Sequence, residues 1–145
     1  MGVSLTTYAG DLALMGSGSV GLATPRLDLF TAISPTLSKN SAWADFTIPT
    51  FTGYAGPITV TVSAIYISQP SGEVAIDISD ALFNGPTSGA GTDVLGWVFH
   101  DTSGTPVVYA AGMFDGPLAL QTAHDRVTVD ETISMSNTIT TTVSN

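Results

Sequence analysis

Residues 16–21 read GSGSVG, which matches the G-x-G-x-x-G spacing of loops that bind the pyrophosphate of a dinucleotide. Such a site needs a strand before the glycines, a helix that begins at them and an acidic residue about 20 positions later. Here Pro25 follows closely after the last glycine, and the first downstream carboxylate, Asp28, comes too early. We therefore interpret GSGSVG as a flexible joint and predict no nucleotide site.

The segment from His100 to Ser103 brings together the residue types of a catalytic triad, with Asp101 between them. Neighbours on a strand point to opposite faces of a sheet, so they cannot form a proton relay. The chain also has no G-x-S-x-G motif to present a nucleophile. The twelve acidic residues could include a carboxylate pair of the kind that glycosidases use, but no spacing in the sequence points to a particular pair. We interpret the segment as a strand that ends in a turn, and we predict that the protein is not an enzyme.

Metal ligands are few, because the chain has no cysteine and two histidines, His100 and His124. A transition-metal site would need both histidines in one cluster, and no spacing supports that. Calcium sites usually carry a D-x-D pattern, which the chain lacks. The acidic residues considered for calcium are Asp77, Asp80, Asp125, Asp130 and Glu131. We interpret them as solvated carboxylates and predict no metal and no cofactor.

The charge balance limits the partners of the chain. Lys39, Arg26 and Arg126 are the only lysine and arginine residues, and the formal net charge is −9. Three cations cannot form a patch that neutralises phosphates, and an acidic chain is repelled by anionic membranes. No segment approaches the roughly 20 apolar residues that span a bilayer, and residues 1–16 lack the basic start of a signal peptide. We predict no nucleic acid partner, no membrane partner and synthesis in a cytoplasm.

Alternation of apolar and polar residues, typical of half-buried antiparallel strands, recurs along the chain. The alternating segments are RLDLFTAI (26–33), PITVTVSAIYI (57–67), EVAIDIS (73–79) and RVTVDETISM (126–135). Two segments are apolar on both faces and are predicted to lie centrally, namely DVLGWVFHD (93–101) and PVVYAAGMFD (106–115). The short link TSGT (102–105) between them predicts a hairpin.

Turn signals separate these segments. QPSG (69–72) and DGP (115–117) are predicted turns, residues 84–92 a long loop, and NTITTTV (137–143) a last strand or a trailing arm. The count of seven or eight strands predicts an all-β fold. We expect a single antiparallel β-sandwich over residues 25–145, with jelly-roll-like and immunoglobulin-like topologies both open.

The two tryptophans differ in their surroundings. Trp97 stands in an apolar strand and is predicted to lie in the core. Trp43 stands in the polar segment SKNSAWADFT (38–47) and is predicted to lie near the surface, where a sugar-stacking role stays open.

Residues 1–24, rich in glycine, serine and alanine, are predicted to form an extended N-terminal arm, separable from the folded domain. Glycines interrupt its apolar residues, so the arm cannot build a core of its own. Such a segment becomes ordered when it pairs with the sheet edge of another chain. The predicted partner contacts are Val3, Leu5, Tyr8, Leu12, Leu14 and Met15.

Residues 26–56 and 96–135 resemble structural proteins of tailed bacteriophages. In that family a strand ending in LF is followed by PT and then by ADFTxxxFTGYA. An aromatic hairpin and a final alternating strand come later. This chain has LF at 29–30, PT at 35–36 and ADFTIPTFTGYA at 44–55. The resemblance implies a virion protein assembled in the host cytoplasm, a head decoration or cement protein bound to the major capsid protein. The alternative is a carbohydrate- or receptor-binding β-sandwich module of a phage tail or spike.

The composition also predicts contact between copies of the chain. Only 10% of the residues are charged and 43% are hydrophobic, and segments 93–101 and 106–115 are apolar on both faces. Closed rotational symmetry is the usual way to cover such surfaces, and a capsid offers three-fold sites. We therefore expect a homo-oligomer, with a trimer favoured.

Overall fold

The fold is known from a computed structural model that describes residues 2–10, 25–60, 66–67, 74–134 and 142–144. Within these ranges the chain is mostly strand, with a 3-10 helix at Trp43–Asp45. The strands are β1 (Gly2–Thr6), β2 (Arg26–Phe30), β3 (Ala32–Ile33), β4 (Phe46–Thr47), β5 (Ile58–Thr59), β6 (Tyr66–Ile67), β7 (Val74–Asn84), β8 (Thr92–His100), β9 (Val108–Leu120), β10 (Arg126–Ser134) and β11 (Thr142–Ser144).

These strands form three sheets. The main sheet has six strands in the order β11-β1-β9-β8-β2-β5, the second sheet has the order β10-β7-β6, and β3 and β4 form a two-stranded ribbon. Every pairing is antiparallel. The prediction of an all-β antiparallel fold is therefore confirmed.

One face of the main sheet shares a core with the second sheet. Leu29 of β2 and Trp97 of β8, which are register partners, lie in one cluster with Phe83 of β7 and Val129 of β10. The other buried members of this cluster are Leu27, Val60, Ile78, Ala81, Val94, Phe99, Tyr109, Ala110, Leu120 and Val127. The predicted core position of Trp97 is confirmed, since this side chain is 2% exposed.

The opposite face of the main sheet is also buried. Phe30, Val98 and Ala111 form a second cluster with Phe46 and Val108. Segment 31–50 covers this cluster, because its partly buried apolar side chains Ile33, Leu37, Trp43 and Ile48 pack against it. Strands β8 and β9 are central neighbours, as predicted. Their two apolar faces are therefore satisfied within one chain, so this pattern no longer indicates a subunit interface.

Some loops lie where the sequence predicts them, and one predicted turn does not. TSGT lies in the link between β8 and β9, and residues 85–91 form the loop between β7 and β8, both as predicted. The predicted turn at DGP is wrong, because these residues lie inside β9. Val94 pairs with Leu118 whereas Gly96 pairs with Met113, so β9 accommodates the extra residues as a bulge rather than ending.

Strand β1 changes the interpretation of the predicted arm. Gly2–Thr6 lies between β9 and β11, with Leu5 buried opposite Ala111. The expectation of an extended arm over residues 1–24 does not describe these residues, because their alternation finds a partner strand in the same chain. The remaining part of the predicted arm from residue 11 onwards, including GSGSVG, lies outside the described residues.

The alternation in segment 57–67 predicts one strand, but the segment contributes to two sheets. Ile58–Thr59 pairs with β2 in the main sheet, and Tyr66–Ile67 pairs with β7 in the second sheet. Residues 61–65 between them, and the predicted turn at 69–72, lie outside the described residues. Thr142–Ser144 pairs with β1, so the C-terminal segment includes a last strand.

Candidate functional site

The candidate site lies where β2 and β8 pair. Arg26 is the register partner of His100, and Asp28 stands two residues further along β2. Register partners and residues two apart share a face of a sheet, so the three side chains lie on one face. Asp28 and His100 are almost fully buried, with 1% and 3% of each residue exposed.

Both ring nitrogens of His100 lie against oxygen atoms. Nε2 is 2.9 Å from Asp28 Oδ2, and Nδ1 is 2.6 Å from the carbonyl oxygen of Asp101. Because a carbonyl oxygen can only accept, Nδ1 carries a proton and donates it. Nε2 faces the Asp28 carboxylate, and the two side chains form an ion pair when the ring is protonated on both nitrogens.

Tyr54 completes the network. Its hydroxyl donates to Asp28 Oδ1 at 2.8 Å and accepts the backbone N–H of Leu29 at 2.9 Å. Burial, followed by the neighbouring Asp28 carboxylate, raises the pKa of Tyr54 far above its ordinary value. Gly56 closes over the pair, since a Cβ there would lie 2.3 Å from both Asp28 Oδ1 and the Tyr54 hydroxyl. Each of these polar groups thus has a partner inside the protein.

The turn after β8 is built on Asp101. Its Oδ1 accepts the backbone N–H groups of Ser103 at 3.1 Å and Val107 at 2.8 Å, and the Ser103 hydroxyl at 2.7 Å. Burial alone would raise the pKa of Asp101, but these hydrogen bonds and nearby His100 hold it below its ordinary value. The Ser103 hydroxyl also lies 2.8 Å from the carbonyl oxygen of Thr105. The interpretation of this segment as a strand end and a turn is confirmed.

Trp43 lies over the network. It begins the 3-10 helix Trp43–Asp45, which is held by a 2.9 Å hydrogen bond from the Ala42 backbone N–H to Asp45 Oδ2. The Trp43 ring centroid is 4.5 Å from that of His100, with the planes tilted by 54°. Trp43 is only partly buried, so it reaches from the network towards the surface.

A cavity of about 460 Å³ opens beside these residues. Its lining includes Arg26, Asp28, Trp43, Tyr54, His100 and Asp101, and three prolines contribute to the rest of the wall. A second cavity of about 310 Å³ is lined by residues of segment 47–51 and the start of β8, with neither tryptophan nor arginine. Of these two cavities, the first combines an indole ring with charged side chains.

Of the acidic residues considered for calcium, Asp77 and Asp80 have side chains that lie outside the described part of the structure. Among the residues that the structure describes, no group of three or more histidine, aspartate or glutamate side chains is placed to hold a metal ion. The Asp125 carboxylate accepts hydrogen bonds from the backbone N–H groups of Thr122 and Gln121. These two hydrogen bonds are the main reason that the pKa of Asp125 lies below its ordinary value. Burial, and then the neighbouring Asp130, raise the pKa of Glu131.

The predicted partner contacts of the N-terminal segment are only partly described. Val3 pairs with Met113 in the main sheet, and Leu5 is buried there. Tyr8 is 50% exposed, and the buried Lys39 ammonium lies 5.6 Å from its ring centroid. Lys39 also donates to the hydroxyl of Thr6 at 3.1 Å. Leu12, Leu14 and Met15 lie outside the described residues.

Comparison with known proteins gives no relative: no family of known proteins, no curated protein and no solved structure matches this chain. Across the described ranges, no helix is long and apolar enough to cross a bilayer.

Proposed function

We propose that the chain is a structural protein of a virion, a decoration or cement protein that binds the outside of a phage head. The observation that carries the proposal is that the side chains most able to perform chemistry are hydrogen-bonded to other groups of the protein. Asp28, His100 and Tyr54 bond to one another and to the backbone, which stabilises the junction of β2, β8 and segment 54–56. The sequence resemblance to phage structural proteins supports the same role.

We further propose that the main and second sheets form a β-sandwich. The shared core supports this, because it contains side chains of β2, β8 and β9 together with side chains of β7 and β10. A rigid two-layer domain suits a protein that reinforces a shell without performing chemistry.

Attachment requires surface that the fold itself does not use. Among the residues whose side chains the structure describes, four large apolar side chains are 40–50% exposed, namely Tyr8, Leu82, Val107 and Leu118. We propose that such side chains contact the major capsid protein and other copies of this chain, with a trimer as the expected oligomer. Strand β1 does not serve this purpose, since both of its edges are paired within the chain.

The test is co-sedimentation of the purified full-length chain with phage heads that lack it. We expect saturable binding and a higher temperature of head disruption, with heads already carrying the protein as the control that binds no more. Leu118→Ser should weaken attachment without unfolding the chain, because this side chain is 40% exposed. A chain that never sediments with heads contradicts the proposal.

A second candidate function is glycan or receptor recognition by a tail or spike. The observation in its favour is the cavity beside Trp43, where an aromatic ring meets charged side chains.

A further inference from the structure

The cavity beside Trp43 carries an inference about its ligand. We infer that it binds one ring of an uncharged saccharide, with the sugar against the Trp43 indole and its hydroxyls on Arg26 and Asp101. This inference rests on the second candidate function and is independent of attachment to a head.

The size and the wall of the cavity fit a single sugar ring. A volume of about 460 Å³ lies within the range of about 300–1,000 Å³ that small-ligand sites occupy. Trp43 supplies apolar ring surface. Its position is fixed by its contact with His100 and by its place at the start of the 3-10 helix. A fixed aromatic ring offers the C–H face of a sugar a large contact area at small entropic cost.

Polar groups for sugar hydroxyls remain unused around the wall. Arg26 donates through Nη1 to Thr59 Oγ1 at 2.6 Å, but its Nε–H is buried and no described residue accepts it. A buried donor without an acceptor is unfavourable, and Arg26 lines the cavity, so its guanidinium has donor capacity that the described residues do not use. Asp101, which also lines the cavity, uses Oδ1 for the turn, and its Oδ2 is an acceptor for a sugar hydroxyl.

The charges of the lining select an uncharged ligand. Asp28 and His100 are paired with each other at 2.9 Å, so neither side chain is free to balance a charge on a ligand. Arg26 and Asp101 add one charge of each sign to the wall, so neither sign dominates it. A phosphate or a cation would leave one of these charges facing a like charge, whereas a hydroxyl both donates and accepts.

The test uses the full-length chain on an array of neutral glycans, with sialylated and phosphorylated glycans as charged probes. Hits are then titrated with the free sugar while tryptophan fluorescence is recorded. We expect at least one neutral glycan to bind and no charged probe to bind better. Trp43→Ala should weaken binding at least about tenfold, which corresponds to about 1.4 kcal/mol. Arg26→Gln should weaken it as well, and Trp43→Phe should retain part of it.

The matched control is Thr50→Ala, a change in the second cavity, which should leave glycan binding unaltered. Circular dichroism checks that each variant is folded, and Trp43→Phe provides the comparison if Trp43→Ala does not fold. Binding that persists unchanged in both Trp43 variants overturns the site but keeps glycan recognition as a function. The absence of any bound glycan overturns both, and head co-sedimentation of the same samples reports separately on the structural role.

Discussion

Removal of the Asp28 carboxylate is the sharpest perturbation of the network beneath the cavity. Asp28→Ala leaves His100 Nε2 and the Tyr54 hydroxyl without their shared acceptor, although Asp28 and His100 are almost fully buried. Asp28→Asn has the same shape but no charge. Its amide oxygen can accept from Tyr54, and its amide nitrogen can donate to an uncharged His100 ring whose Nδ1 still donates to Asp101.

The two variants should therefore differ strongly in stability. Deleting one partner of a buried ion pair costs about 3–5 kcal/mol, because the other partner stays buried and uncompensated. We expect this loss for Asp28→Ala. For Asp28→Asn we expect a loss of less than about 1.5 kcal/mol, since each polar atom keeps a partner.

Urea denaturation followed by circular dichroism measures the difference. With a dependence of about 2 kcal/mol per molar urea, the midpoint of Asp28→Ala should fall by about 1.5–2.5 M. Asp28→Asn should shift by less than half of that. Equal midpoints for the wild type and Asp28→Ala would refute the reasoning, and so would an Asp28→Asn variant as unstable as Asp28→Ala.

Three further predictions follow from contacts elsewhere in the fold. Gly56→Ala should destabilise the chain in urea because its Cβ meets the buried network, whereas Gly104→Ala should be neutral, as nothing lies within 4 Å of its Cβ. Deleting residues 1–7 should abolish the cooperative unfolding transition, because β1 joins β9 to β11; a truncated chain that melts like the wild type would show that β1 is dispensable. The pKa of Asp125 is lower in the folded chain than in the unfolded chain, so the unfolded chain takes up this proton at a higher pH. The free energy of unfolding should therefore fall as the pH drops below about 4. Asp125→Asn should flatten this acid slope in pH-dependent melting curves.

Most strands could be predicted because their signals are local. The alternation in RVTVD (126–130) and the two-sided apolar pattern of DVLGWVFHD (93–101) match the residues that are buried. The wrong predictions concern segments whose structure depends on pairing with strands that are distant in the sequence. Gly2–Thr6 is a short strand whose partners, β9 and β11, lie more than a hundred residues away, so composition alone indicated an arm. DGP carries turn residues, but pairing of β9 with β8 absorbs them as a bulge.

The candidate site was not predictable for the same reason. Asp28 lies in an alternating strand and His100 at a strand end, and neither position signals a contact. The register of β2 against β8 brings them to one face, and Tyr54 reaches them from a separate segment. The polar segment around Trp43 predicts a position near the surface, but the contact of Trp43 with His100 depends on how segment 31–50 covers the main sheet.

The location of the chain on a particle tests the central claim most directly. Purified virions would be labelled with gold-conjugated antibodies raised against the full-length chain and viewed by electron microscopy. Decoration of a head predicts gold evenly distributed over the outer surface of the shell, in numbers that scale with its capsid subunits. Gold confined to the tail would contradict head decoration and favour the glycan-binding alternative, and virions without label would contradict a virion role altogether.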